Sequence, residues 1–144
     1  MVRNITALLI ISLMISSCGS TNKNSAGKPA GSSLDGTWEL NYISGPRIAF
    51  DGLYPNKKPT LTFDVANKKV SGNTSCNNFN GVLKLNGNNI DFNDNMALTK
   101  MMCEGSGENV FLETLKKVNT WSVSEGNTLN LIMGDIAIMR FSKK

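Results

Sequence analysis

The sequence predicts a mainly β fold: a small antiparallel barrel of about eight strands with one helix covering an opening. Three observations predict it. Short runs of alternating apolar and polar residues recur with turn residues between them, Asn86-Gly87 and Gly134-Asp135 mark tight hairpins, and a single segment, Glu108 to Val118, carries helical periodicity. A strand meander must hide its edges, and closure into a barrel does so most completely. An open α+β sheet with the helix on one face is the alternative arrangement.

Trp38, Leu40 and Tyr42 alternate with Thr37, Glu39 and Asn41, so Thr37 to Ile43 reads as a strand with one buried face, ended by Gly45-Pro46. The connection 44–59 holds Pro46, Pro55 and Pro59 with Phe50 and Tyr54, and a loop of that length with apolar residues is expected to pack over an open end. Leu61, Phe63 and Val65 mark the next strand, and Asn67-Lys68 turns it into Lys69 to Thr74. Ser75 to Asn80 then falls between strands, at a rim of the sheet, before Val82 to Leu85 and Asn89 to Phe92 pair about Asn86-Gly87.

In the helix, Phe111, Leu115 and Val118 share a face, Glu113 and Lys117 form an i, i+4 pair, and Ser106 stands where an N-cap belongs. Thr120 to Ser124, Thr128 to Met133 and Ile136 to Ser142 complete the strands. The inward candidates Trp38, Phe63, Leu83, Leu85, Leu129, Leu131 and Met133 are large, which favours a barrel filled by side chains over one enclosing a ligand.

The N-terminus has a different character. Met1-Val2-Arg3 is a short positive start, Ile5 to Ile15 is apolar apart from Thr6 and Ser12, and Ser16-Ser17-Cys18 closes the run with small residues. This predicts a signal peptide over 1–17, too short to span a membrane comfortably. Ile15-Ser16-Ser17-Cys18 resembles the bacterial lipoprotein cleavage box, which implies cleavage before Cys18 and lipidation of its sulfur. A plain signal peptide or an uncleaved anchor is the competing reading. Residues 18–33 contain no large apolar side chain and read as a flexible tether, leaving 34–144 as the globular domain.

Charge and residue types exclude several functions. The formal net charge of +4 falls by one, to +3, when Arg3 leaves with the leader, and the lysines occur as scattered pairs, so nucleic acid is not an expected partner. Histidine is absent, which excludes Ser-His-Asp and Cys-His nucleophiles and removes the commonest zinc ligand. With Cys18 taken by lipid, Cys76 and Cys103 remain as an even pair in an exported setting, and a disulfide is the expected state. Buried reduced thiols are the alternative; a redox or metal role lacks both Cys-x-x-Cys spacing and histidine.

Asp91, Asp94, Glu104, Glu108 and Glu113 are the candidates for paired acids in hydrolysis, but Glu104 and Glu108 are explained by the helix dipole and nothing sets two carboxylates across a cleft. Gly105-Ser106-Gly107 lacks the Lys-Ser/Thr pattern of a phosphate loop and reads as a helix start.

Several segments resemble one family in the right order. Leu34-Asp35-Gly36-Thr37-Trp38-Glu39-Leu40, Pro59-Thr60-Leu61-Thr62-Phe63, Ser75-Cys76-Asn77-Asn78-Phe79-Asn80-Gly81, Met96-Ala97-Leu98-Thr99-Lys100-Met101-Met102-Cys103, and Glu108, Phe111 and Leu115 together resemble META domains, the group that includes HslJ-like heat-shock lipoproteins. Ser75 replaces that family's usual Gly and Lys100 its usual Arg. The resemblance implies a lipocalin-like barrel, ties to envelope stress, and no established catalytic activity.

The expectation is therefore a monomeric, lipid-anchored envelope protein, facing the periplasm from the outer membrane. It would act as a non-catalytic binding or interaction module, without cofactor or metal. A carrier of a small apolar ligand is the second reading and a hydrolase the third. Asn77, Asn78 and Lys100 are the candidate interaction residues, on a rim held by Cys76 and Cys103.

Overall fold

A computed structural model describes residues 31, 33–93 and 96–144. The expected leader, the lipidation site Cys18, nearly all of the tether and Asp94 lie outside the described residues.

Among the described residues, ten strands form one antiparallel sheet: β1 (Gly36–Ile43), β2 (Thr60–Asp64), β3 (Lys69–Asn73), β4 (Asn78–Val82), β5 (Lys84–Asn86), β6 (Asn89–Asp91), β7 (Ala97–Leu98), β8 (Thr120–Ser124), β9 (Thr128–Met133) and β10 (Ile136–Lys143). Their order is β5-β6-β8-β9-β10-β1-β2-β3-β4-β7. The sheet curls into a half-barrel, with β5 and β7 as its edges among the described residues, so the expected barrel is present as an incompletely closed one. Two helices accompany it in the same residues: α1 (Phe50–Leu53) and α2 (Gly107–Leu115).

The strand alternation holds where it is strongest. In β1, Trp38 and Leu40 are buried and Tyr42 is exposed past a register shift between Leu40 and Tyr42, where the β1–β10 pairing slips. Trp38 is a core plug, its indole N–H donating to Leu34 O at 2.7 Å. Phe63, Leu83, Leu129 and Leu131 are buried as expected, whereas Leu85 is half-buried and Met133 is 41% exposed at the end of its hairpin. Phe111 and Leu115 of α2 complete the interior.

Three boundaries differ from expectation. Asn78–Val82 is a full strand, pairing with β3 from Asn73↔Asn78 to Lys69↔Val82, so the rim turn shortens to the four residues between β3 and β4. The β5–β6 turn is Gly87-Asn88, with Gly87 at φ 58, one position later than Asn86-Gly87. The helix ends at Leu115, because Lys117 N–H donates to Thr114 O and Val118 N–H to Leu115 O, tightening the last turn while Val118 stays buried.

The connection 44–59 does pack over the fold. Leu53 and Tyr54 are buried, and the Tyr54 hydroxyl donates to Gly107 O at 3.1 Å, tying α1 to the start of α2. Burial pushes the Tyr54 phenol from 10.0 up to about 12. Unfolded chains therefore lose this proton first, so stability is fully present below pH 10.0 and falls as pH rises toward about 12. Tyr54→Phe should remove that alkaline loss, measured by urea unfolding on either side of pH 10.0, and should cost about 1 kcal/mol at neutral pH through the lost hydrogen bond.

The two rims of the sheet carry different segments. β1 and β3 start, and β2 and β4 end, at one rim, where the N-terminal arm arrives. That arm is fixed: Leu34 is fully buried, and Val65 N–H donates to the Asp35 carboxylate at 2.7 Å. The turn carrying Cys76 lies at the other end of β3, about 16 Å away at the usual rise per residue.

Candidate functional site

The turn between β3 and β4 runs from Thr74 to Asn77, and its residues are tied to the segment 99–108 by side chains rather than by a sheet ladder. Asn73 Oδ1 accepts from Ser75 N–H at 2.9 Å, folding the chain back at Ser75, which takes φ 85. That is the left-handed region, where a serine Cβ is strained and glycine is not. The family's usual Gly is thereby explained. Ser75→Gly is expected to stabilise the protein by about 1 kcal/mol, read as a higher urea midpoint with an unchanged slope.

Cys76 and Cys103 form a disulfide spanning 27 residues of sequence. Beside it lies Asn77, 1% exposed, whose side chain is the hub of the site. Its Oδ1 accepts from the Thr99 hydroxyl at 2.8 Å and from Met101 N–H at 2.7 Å. Its amide nitrogen lies within reach of Met101 O at 3.1 Å, Glu108 Oε1 at 3.2 Å and Cys103 Sγ at 3.0 Å. A buried amide with this many partners crosslinks two strand ends and a helix start.

Glu108, in the first turn of α2, completes the cluster. Its Oε2 accepts from the Thr74 hydroxyl and from Asn77 N–H at 3.3 Å. Ser106 occupies the N-cap position, but its side chain makes no capping bond, so Glu108 faces the turn with the helix dipole behind it. Cys76, Cys103 and Glu108 bring their ligand-type atoms within 4.8 Å of one another. With the two sulfurs bonded to each other, neither offers the thiolate that a metal requires.

Of the three expected interaction residues, Asn77 is a correction: its side chain is buried and consumed by structure. Asparagine is normally exposed, and Thr99, Met101, Cys103 and Glu108, which engage its side chain, lie more than twenty residues away, so no local pattern signals the burial. Asn78 and Lys100 are exposed, with Asn78 Oδ1 accepting from Asn73 at 2.7 Å. The structure adds Thr74, Thr99 and Glu108 as supports. Thr99 is visible in the motif Thr99-Lys100-Met101-Met102-Cys103, and Glu108 as a helix-start acid; nothing local links either to Asn77.

What the clamp displays is apolar. Met101 is 62% exposed and Met102 is 99% exposed, on a segment whose backbone is fixed at both ends by Asn77 and the disulfide. Among the described carboxylates, Asp91 accepts from Asn93 N–H at 2.8 Å and from its side-chain amide at 2.7 Å, bonds that hold it below the usual carboxylate range.

Known proteins share this architecture. The profile of the META domain matches residues 32–144. A protein from Burkholderia xenovorans, solved by NMR, is similar in structure with a TM-score of 0.60 and 21% identity, over 81% of this chain and 88% of that one. A DUF4847 family protein from Bacteroides vulgatus is similar with a TM-score of 0.50 and 14% identity, over 76% of this chain and 93% of that one. These two likenesses concern the fold. No curated protein matches the chain.

Proposed function

Since the chain belongs to the META-domain family, we propose that it is a lipid-anchored envelope protein working as a non-catalytic interaction module in envelope maintenance or stress. The lipid would sit on Cys18, after the box Ile15-Ser16-Ser17-Cys18, and hold the protein at the periplasmic face of the outer membrane. The working surface is the rim that carries Met101 and Met102.

One observation carries this reading. The Met101–Met102 segment stands exposed on a backbone held by Asn77 and the disulfide, at the rim opposite the one where the N-terminal arm is fixed, so the two segments do not compete for one surface. Methionine is enriched at interface cores, and here two adjacent ones stand exposed on a backbone held at both ends. Lys100 and Glu104 flank the pair as a polar border.

The test is capture from solubilised envelopes by the mature protein and by Met102→Ser, a substitution at a site with no packing to lose. The expected result is a partner held by the wild type and reduced at least about tenfold by the variant, the scale of a lost interface anchor. Equal capture by both would remove the rim from consideration.

A further inference from the structure

The sequence lacks Cys-x-x-Cys spacing, but the fold supplies the proximity that such spacing would give. The turn after β3 carries Cys76, the segment before α2 carries Cys103, and the first turn of α2 carries Glu108. The two sulfurs and a carboxylate oxygen of Glu108 lie within 4.8 Å of one another. All three residues are half-buried, so solvent reaches the cluster. Once the sulfurs are thiolates, two of them with one carboxylate make a donor set of the kind that holds zinc.

The hydrogen bonds around the cluster hold these donors together independently of the covalent bond. Asn77 Oδ1 accepts from the Thr99 hydroxyl and from Met101 N–H, while its amide nitrogen lies 3.0 Å from Cys103 Sγ and 3.2 Å from Glu108 Oε1. That sulfur and that oxygen thus share one amide donor, the outer support that orients metal ligands. Glu108 Oε2 accepts from the Thr74 hydroxyl and from Asn77 N–H, which fixes the carboxylate from the β3–β4 turn. Oε1 carries one of these bonds and keeps a lone pair. Among the described residues Glu108 forms no salt bridge, so its charge is not already matched by one.

We propose that, when a dithiol reductant opens the Cys76–Cys103 bond, Cys76, Cys103 and Glu108 bind one Zn²⁺. The reductant's two thiols close into its own disulfide and pass two electrons and two protons to the two sulfurs. The resulting thiols release those protons to solvent as two Zn–S bonds form. A tetrahedral zinc holds its sulfurs about 3.8 Å apart, a separation that turning the two side chains reaches from Cα atoms 5.9 Å apart. Solvent takes the fourth position. Thiolates disfavour Ca²⁺ and Mg²⁺, and the carboxylate disfavours Cu⁺. The cation replaces the disulfide as the crosslink beneath Met101 and Met102, so the rim keeps its shape in both redox states.

The test uses the full chain carrying Cys18→Ser, in detergent, so that Cys76 and Cys103 are its only thiols and the state of the anchor does not enter. The protein is reduced with a phosphine, desalted without oxygen, and titrated with Co²⁺, whose thiolate complexes absorb in the near ultraviolet, and then with Zn²⁺. The expected result is a sulfur-to-cobalt band that saturates at one ion per chain, disappears on adding Zn²⁺, and is absent before reduction. Glu108→Gln, which keeps the side chain's shape, should weaken Zn²⁺ binding at least about tenfold, and Cys76→Ser at least as much. Urea unfolding of each variant without metal checks that it folds. If the reduced protein has no cooperative transition, Zn²⁺ should restore one. Two free thiols without a cobalt band overturn the site, and so does a Zn²⁺ affinity that Glu108→Gln leaves unchanged.

Discussion

Replacing Gly72 by alanine is expected to prevent the fold from forming. Gly72 lies in β3 opposite Leu61 of β2 and Phe79 of β4, and an added Cβ would lie 2.0 Å from Thr60 O and 2.7 Å from the Phe79 ring. The first contact is backbone, so β2 and β3 would have to part; no rotamer change relieves it. The Phe79 ring that covers Gly72 also packs against Phe111 at 6.1 Å between ring centroids, so displacing it unseats α2. A cost above about 4 kcal/mol follows, a large share of the stability of a domain of this size. Insoluble expression, or loss of the cooperative urea transition, would agree with this. A soluble Gly72→Ala protein with the wild-type midpoint would mean that β2 and β3 pair in a different register.

Removing the disulfide is expected to have the next largest effect. Replacing both Cys76 and Cys103 by serine frees a loop spanning 27 residues, which in the chain-entropy account costs about 3 to 4 kcal/mol. The domain should still fold, because the β3–β4 pairing from Lys69↔Val82 to Asn73↔Asn78 does not depend on the bond. Urea unfolding of the mature protein, with and without reductant, measures the cost, and thiol titration of the unfolded, unreduced protein should find no free thiol from this pair. Reduction that left the midpoint unchanged would show that the clamp is carried by hydrogen bonds rather than by the covalent link.

How far the sequence discloses this protein depends on the range of the interactions involved. Trp38, Leu61, Phe63, Leu129 and Leu131 announce themselves by alternation, because each strand has one face in the core and the period of two is local. β4 does not. Its sequence, Asn-Phe-Asn-Gly-Val, is poor in strand formers, and it is a strand because Phe79 is captured between Gly72 of the neighbouring strand and Phe111, which is distant in sequence. Closure is similar: edge pairing between β7 and β5 is a question of curvature, which residue patterns do not specify, and the sheet stays open among the described residues.

For the site, the cysteine pairing follows from parity and setting, but the state of Asn77 does not. Its burial is produced by Thr99, Met101 and Glu108, contributed by two separate later segments. The positive φ at Ser75 is hidden for the opposite reason: serine is an ordinary turn residue, and nothing local says that this turn requires glycine's freedom. Met102 illustrates a further limit. Nothing in the alternation around it says which way it faces, and in the fold it stands wholly in solvent.

Asn77, buried beside the disulfide, is the residue that holds the Met101–Met102 segment in one conformation at the rim, and every functional reading of that surface depends on it. Amide hydrogen exchange at Met101 tests this most directly, because that N–H donates to Asn77 Oδ1 at 2.7 Å on an otherwise exposed segment. Slow exchange is expected in the wild type, with a loss of at least about tenfold in protection in Asn77→Ala while exchange in β9 and β10 stays unchanged. Fast exchange at Met101 in the wild-type protein, or protection that survives the substitution, would contradict it.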